Sequence, residues 1–283
     1  MMKLIAIDLD GTLLSDEGNI NQVSSEAIRK RQEAGDIIAI CSGRSLHDTK
    51  ELTKRAGLDL PLITGNGAVT YADHKVMEHL SMQPRLVKEL MEKADKEGLY
   101  YEIYTNEGIY LERDITAILE KEIDDYPNIS EEDREKMRTM IATQKDQFGL
   151  KTVEDYHSIN YESLDVYKVF ILSFNLELLA KLNEELRNRG DVSITGAGRQ
   201  KIEIAHESAS KGNALRSLAR YFQVPMEHTV AIGDNFNDIP MFEAAGESVA
   251  MGNAESEVKE KADITTKNYN ENGVAYALDH LIK

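Results

Sequence analysis

The sequence predicts an α/β fold: a parallel-sheet core whose chain is interrupted by an inserted α+β segment. Three observations predict it. The first third alternates short apolar runs with amphipathic stretches, in the order strand, helix, strand, helix, strand. That alternation builds a parallel sheet through right-handed crossovers. The last third returns to the same alternation, while the middle carries hairpin signals and long charged helical stretches. A chain of 283 residues also has room for two domains, at roughly 150 residues each. The expected division is residues 1–82 with 207–283 for the core and 83–206 for the insert.

Each element has its own reason. Lys3–Ile7 is a short apolar run, the signature of a strand buried on both faces. Ser24–Ala34 reads as a helix capped by Ser24 or Ser25 and ended by Gly35. Asp36–Cys41 is the second strand, Leu46–Ala56 a helix stopped by Gly57, and Leu60–Thr64 the third strand. In the middle, Pro84 opens a helix with Val87, Leu90, Met91 and Ala94 on one face, and Gly98 ends it. Tyr100–Tyr104 and Ile109–Leu111 read as a hairpin around Asn106-Glu107-Gly108. Asp114–Lys145 is charged and helical with a break at Pro127. Val166–Phe174 is a strand, Leu176–Arg189 a helix, and Asp191–Thr195 with Gln200–Ala205 a second hairpin across Gly196-Ala197-Gly198. The core then resumes with helix Lys211–Phe222, strand Thr229–Ile232, helix Ile239–Ala245, strands Val249–Met251 and Asp263–Thr265, and a closing helix Val274–Ile282.

Composition excludes several classes of function. Hydrophobic residues make up 41% and charged residues 29%, so the chain can bury a full core. Its net charge of −17 argues against nucleic acid and against anionic membrane as partners, because both need a basic surface. The single cysteine, Cys41, excludes an internal disulfide and a multi-cysteine metal site; within an apolar strand it reads as a buried core thiol. The apolar run Leu4–Ile7 is too short for a signal peptide, and no stretch reaches the ~18 apolar residues of a membrane span. The expectation is a soluble, acidic, cytoplasmic protein.

In an open parallel sheet, ligands bind beyond the carboxyl ends of the strands. The first expected strand is followed by Asp8-Leu9-Asp10-Gly11-Thr12, the second by Ser42-Gly43-Arg44 and the third by Gly65-Asn66-Gly67. Thr229–Ile232 is followed by Gly233-Asp234-Asn235-Phe236-Asn237-Asp238, and Lys211 starts the helix before it. Acids, amides, a hydroxyl and a lysine converge on one edge. Such a set suits Mg²⁺, a hard cation that takes carboxylate oxygens and water, and a phosphate whose charge Mg²⁺ and Lys211 would neutralise. Ser42 and the N–H groups near Gly43 are candidates for the remaining phosphate oxygens. An aspartate can attack phosphorus, and a second acid, Asp10, can protonate the leaving oxygen. Gly11 would let the chain turn sharply after it.

Asp8-Leu9-Asp10-Gly11-Thr12, Ser42, Lys211 and Gly233-Asp234 through Asn237-Asp238 resemble the four motifs of the haloacid dehalogenase superfamily phosphatases. Lys201-Ile-Glu-Ile, Ser210-Lys211-Gly212, Ala250-Met-Gly-Asn-Ala254 and Gly273-Val274 are similar to the Cof-type subfamily. The resemblance covers essentially the whole chain. It implies a Rossmann-like core, a C2-type α/β cap after the third strand and Mg²⁺-dependent hydrolysis of small phosphate esters. It implies Asp8 as nucleophile and metal ligand, and Asp10 as acid/base that ligates the metal through its carbonyl. It further implies Asp234 as a metal ligand, Ser42 and Lys211 as phosphate binders, Asn237 near the phosphate and Asp238 in support. His206 stands where such proteins often carry proline, a departure that leaves the catalytic residues untouched.

Other readings remain open for several residues. Asp-x-Asp occurs in calcium loops, but the glycine falls at position four rather than six and a strand precedes it. Arg44 is a substrate contact or a structural ion pair. Asn66-Gly67 is a turn, or a loop that faces substrate; Thr12 and Asn66 stand as supporting residues. Lys168 sits in an apolar strand and points into the cleft beneath the cap or lies on a solvated edge. Gly196-Ala197-Gly198 lacks the third glycine of a dinucleotide fingerprint. Tyr100, Tyr101, Tyr104 and Tyr110 read as packing of the insert. For the whole chain, a sugar phosphomutase or phosphotransferase would use the same site, and a non-catalytic phospho-ligand sensor is the reading from another class. Asp10 and a large insert beside Asp8 favour turnover over the sensor, and phosphate release in water without a sugar acceptor would count against the mutase. Sugar phosphates, FMN, pyridoxal phosphate and nucleotides all remain possible substrates.

Overall fold

The computed structural model describes residues 2–126, 129–196 and 199–283. The chain divides into two compact units, Met1–His79 with Ser208–Lys283, and Leu80–Glu207.

The first unit opens with β1 (Leu4–Ile7), α1 (Gln22–Glu33), β2 (Ile37–Cys41), α2 (Leu46–Arg55), β3 (Leu62–Thr64), β4 (Val69–Ala72) and β5 (Lys75–His79). The second holds α3 (Pro84–Glu97), β6 (Tyr100–Thr105), β7 (Gly108–Glu112), α4 (Thr116–Asp124), α5 (Glu131–Lys145), β8 (Leu150–Val153), β9 (Val166–Leu172), α6 (Leu176–Arg187), β10 (Val192–Thr195) and β11 (Lys201–His206). The first unit then closes with α7 (Lys211–Tyr221), β12 (Thr229–Gly233), α8 (Ile239–Ala244), β13 (Glu247–Ala250), α9 (Ser256–Lys259), β14 (Ile264–Thr265) and α10 (Gly273–Tyr276).

The eight-stranded sheet of the first unit runs β14-β13-β12-β1-β2-β3-β4-β5. Its pairs from β14 to β3 are parallel; β3–β4 and β4–β5 are antiparallel. Alternate residues of each strand feed opposite faces. Ile5, Ile7, Ile38, Ile40, Val230 and Ile232 join one apolar cluster with Ile28 of α1 and Val274 of α10. Leu4, Ala6, Ala39, Cys41 and Ala231 join another with Leu215 and Leu218 of α7 and Phe242 of α8. Burial on both faces explains why these strands are continuous apolar runs rather than alternating ones. The register sets Ile7 beside both Ile40 and Ile232, so β1, β2 and β12 end level with one another.

Several expectations are corrected. α1 is capped by Asn21, whose side chain accepts the Ser24 N–H; Ser24 and Ser25 are buried inside the helix. The closing helix is broken: α10 ends at Tyr276 and a wider π-type turn takes Ala277–Leu281. An antiparallel hairpin, β4 and β5, extends the edge of the parallel sheet beyond the expected strands. The break read at Pro127 lies outside the described residues, as do Ala197 and Gly198 of the second hairpin loop.

The second unit has a six-stranded sheet, β10-β11-β9-β6-β7-β8, antiparallel except for β7–β8. Lys168 lies on neither of its edges. It sits on the inner strand β9, 2% exposed, 3.1 Å from Glu203 and 3.9 Å from the centre of the Tyr104 ring. The tyrosines pack as expected: Tyr101 stacks on Tyr156 at 4.6 Å, and Tyr100 and Tyr104 donate to the buried Glu102. No helix among the described residues is long and apolar enough to cross a membrane.

Candidate active site

The level ends of β1, β2 and β12 bring the expected site residues to one edge of the first sheet. That edge includes the switch point between β1 and β12, where successive connections run to opposite sides. Asp8 is the first residue past β1, and its N–H continues the ladder to the Ile232 carbonyl at 2.9 Å. Its carboxylate is 5% exposed. Lys211, at the start of α7, is fully buried and donates from Nζ to Oδ1 of Asp8 and Oδ1 of Asp238, each at 2.6 Å. Asp238 in turn accepts the N–H groups of Asp234 and Asn235 on Oδ2, which shapes the loop after β12.

The loop after β1 is bent over Asp234. Thr12 Oγ1 donates to Oδ1 of Asp234 at 2.8 Å. Gly11 has φ +78, and a Cβ there would stand 2.4 Å from Oδ2 of Asp234. No other residue type fits this position without moving the carboxylate. Asn253 donates to the Gly11 carbonyl at 2.9 Å and accepts from Tyr269 N–H at 3.1 Å, tying the loop down from a third segment.

Ser42 is buried after β2, with Gly43 partly exposed beside it. Ser42 Oγ accepts the Arg44 N–H at 3.2 Å. Of the two readings of Arg44, the structure shows the ion pair: its guanidinium binds Asp10 through Nε and Nη2 and Asp48 through Nη1. Asn66–Gly67 is a buried turn. Asn66 donates its N–H to the Ser42 carbonyl at 3.0 Å and accepts the Asn237 amide at 3.1 Å, so it links the loops after β2 and β12.

Gly67 yields a prediction. It has φ +96, and a Cβ there would lie 2.2 Å from the carbonyl oxygen of Ser210, directly before Lys211. Gly67→Ala is expected to cost about 1–3 kcal/mol, read as a lower denaturation midpoint, and to lower turnover by shifting Lys211. Gly18→Ala is the control, with φ +71 and nothing within 4 Å of the added carbon. Equal effects of the two substitutions on turnover would reject the clash.

Electrostatics make this edge hungry for a cation. Burial and the neighbouring carboxylates of Asp238, Asp234 and Asp10 outweigh Lys211 and push the Asp8 carboxyl well above the usual range. Burial, opposed by the Thr12 hydrogen bond and helped by Asp238, pushes Asp234 up to about 6. Burial opposes the charge on Lys211, but Asp238 and Asp8 outweigh it and hold its pKa well above the ordinary lysine value. Carboxylate oxygens of Asp8, Asp234 and Asp238 lie within 4.8 Å of one another. Hard oxygen donors in a negative pocket fit Mg²⁺ or a similar divalent cation rather than a soft metal. Lys211 and Thr12 each take Oδ1, leaving Oδ2 of Asp8 and of Asp234 for such an ion, whereas Asp238 spends both its oxygens on Lys211 and backbone N–H groups. The Asp10 side chain faces Arg44, and its backbone carbonyl is the ligand atom that the family resemblance implies. Burial pushes the Cys41 thiol far up, consistent with an inert core residue.

Asp48 and Asn253 were not singled out as site residues. Asp48 had a signal, since it follows Arg44 at i+4 and Ser45 at the third helical position, a spacing that reads simply as helix capping.

The family model of the haloacid dehalogenase-like hydrolases matches residues 5–278. The 5-amino-6-(5-phospho-D-ribitylamino)uracil phosphatase YwtE of Bacillus subtilis (strain 168) is 35% identical, over 99% of this chain and 98% of its own. Phosphatase YwpJ of the same organism is 31% identical over 99% of this chain and its full length. The solved structure of a haloacid dehalogenase-like hydrolase from B. subtilis superposes with a TM-score of 0.87 at 30% identity, covering 99% of this chain and 100% of that one. The chain belongs to the haloacid dehalogenase-like hydrolase family, and it is a phosphatase.

Proposed function

We propose that the protein hydrolyses a small phosphate monoester in two steps, with Asp8 as the nucleophile. The observation that carries this reading is the arrangement of Asp8: a buried carboxylate held by Lys211 and grouped with Asp234 and Asp238 at the carboxyl edge of the sheet. In the first step an oxygen of Asp8 attacks phosphorus, the ester P–O bond breaks and Asp10 gives its proton to the leaving oxygen. In the second, Asp10 takes a proton from water, the water oxygen bonds to phosphorus and the bond to Asp8 breaks, releasing inorganic phosphate. The first carboxylate is thereby restored.

Asp8 and Asp234, with the Asp10 carbonyl, would hold Mg²⁺, which when bound neutralises charge on the phosphate oxygens. Ser42, Gly43, Lys211 and Asn237 are the candidate phosphate contacts, and Asp238, Thr12 and Asn66 hold them in place. Arg44, open as a substrate contact or an ion pair, is read here as the ion-pair partner of Asp10. The inserted unit, which contributes none of these residues, is read as the domain that selects the alcohol part of the ester.

The test is phosphate release from a panel of esters with Mg²⁺ and with a chelator, using Asp8→Asn as the blank. YwtE is named for 5-amino-6-(5-phospho-D-ribitylamino)uracil, so that ester leads the panel, followed by hexose phosphates, FMN, pyridoxal phosphate and nucleotides. Mg²⁺-dependent release in plain water is expected. Release only in the presence of a sugar acceptor, or none at all from folded protein, would reject hydrolysis.

The raised Asp234 carboxyl has a measurable consequence for metal binding. Proton and metal compete for the carboxylate oxygens, so affinity is expected to fall as pH drops through about 6 at Asp234, and the raised Asp8 carboxyl adds a second competing proton. One competing proton weakens Mg²⁺ by about tenfold per pH unit. Calorimetric titration at pH 5 and pH 7.5 is expected to show this; equal affinities at both would contradict it.

A further inference from the structure

The Asp10 carboxylate is 58% exposed, yet it is held in a fixed pose. Arg44 grips it with two parallel bonds, Nε to Oδ2 at 2.8 Å and Nη2 to Oδ1 at 2.7 Å. The third guanidinium nitrogen, Nη1, donates to Oδ2 of Asp48 at 2.7 Å. Asp48 is 2% exposed on the first turn of α2, where Ser45 Oγ caps its N–H at 3.1 Å. The Arg44 backbone is pinned too, with its N–H on Ser42 Oγ and its carbonyl accepting Gly65 N–H at 2.9 Å.

We propose that Asp48, acting through Arg44, is a positioning residue that sets the orientation of the Asp10 carboxylate. This rests on the reading of Asp10 as the acid/base. An exposed ion pair alone contributes too little to hold an aspartate side chain in one orientation. Arg44 becomes a rigid fork because its far nitrogen is anchored on the buried carboxylate of Asp48. A carboxylate accepts at about four lone-pair sites, so the two bonds to Arg44 do not by themselves exhaust its capacity to carry or take a proton. Proton transfer depends on orientation, and a displacement near 1 Å can cost about 10²-fold.

The experiment compares kcat/KM of the Mg²⁺-loaded enzyme for an alkyl phosphate and for p-nitrophenyl phosphate. This ratio reports the step in which the ester bond breaks. The alkyl leaving group needs a proton; the nitrophenolate leaves without one. Asp48→Asn is expected to lose about 10–100-fold on the alkyl ester and to stay within a few-fold on the aryl ester. Arg44→Lys, which keeps the charge but not the fork, is expected to show the same split, and it carries the test if Asp48→Asn does not fold. An equal loss on both esters, or no loss on either, overturns the positioning role. Asp10→Asn measured alongside separates the two failures: if it retains alkyl ester turnover, the acid/base reading has failed rather than the positioning.

Discussion

Asp8→Asn is expected to abolish phosphate release while leaving the fold intact. An amide has no anionic oxygen to attack phosphorus, and losing a nucleophile typically costs more than about 10⁴-fold. Stability is expected to hold or rise in metal-free buffer. Burial and three neighbouring carboxylates raise the Asp8 carboxyl, so the folded protein binds a proton there more readily than the unfolded chain does. Such a group favours the fold below its unfolded value, and that contribution is lost as pH rises through its folded value. At neutral pH its charge is therefore a burden that the amide removes. Lys211 keeps Asp238 as its partner. The measurements are phosphate release and thermal unfolding, with a mass check that the asparagine has not reverted. Wild-type turnover by a verified Asp8→Asn protein would rule out the aspartyl-phosphate route.

Lys211→Met is expected to damage both activity and fold. The lysine is fully buried and bridges Asp8 and Asp238 at 2.6 Å each. Its removal leaves buried carboxylates facing one another with no cation between them. Breaking a buried pair in this way costs about 3–5 kcal/mol, or of order 10 °C in unfolding temperature for a unit of this size. Activity is expected to drop by at least about 10²–10³-fold, the usual effect of deleting one donor that meets charge in a transition state. Added Mg²⁺ is expected to stabilise this variant more than the wild type, because it brings positive charge back to the cluster. A variant that unfolds at the wild-type temperature and turns over normally would contradict the arrangement around Asp8.

The site residues were legible because of where apolar runs stop. In strands buried on both faces, the first polar residue after Leu4–Ile7 or Thr229–Gly233 marks the sheet edge, and there stand Asp8 and Asp234. The hairpin β4–β5 was not legible. Its strands mix polar and apolar residues, and its turn places Asp73 and His74 at φ +48 and +60, positions usually signalled by asparagine and glycine. β8 was missed because it is short and pairs with β7, some forty residues earlier in the chain.

By itself, the sequence determined the alternation of strands and helices, the acids and amides that follow each apolar run, and the motif set that resembles a phosphatase. These are local properties: the period of burial, the end of a run, the spacing of neighbours. Only the tertiary structure decided whom each charge meets. Arg44 could have faced a phosphate, but the fold turns it onto Asp10 and anchors it on Asp48. Asp238 read only as a supporting residue; the fold makes it a clamp on Lys211 and on two backbone N–H groups. Lys168 read as a cleft or edge residue, and the fold buries it against Glu203, 35 positions away. The reason is physical. Burial follows from a residue's own chemistry and its neighbours in sequence, whereas a charge pair depends on distance in space between segments that no local pattern connects.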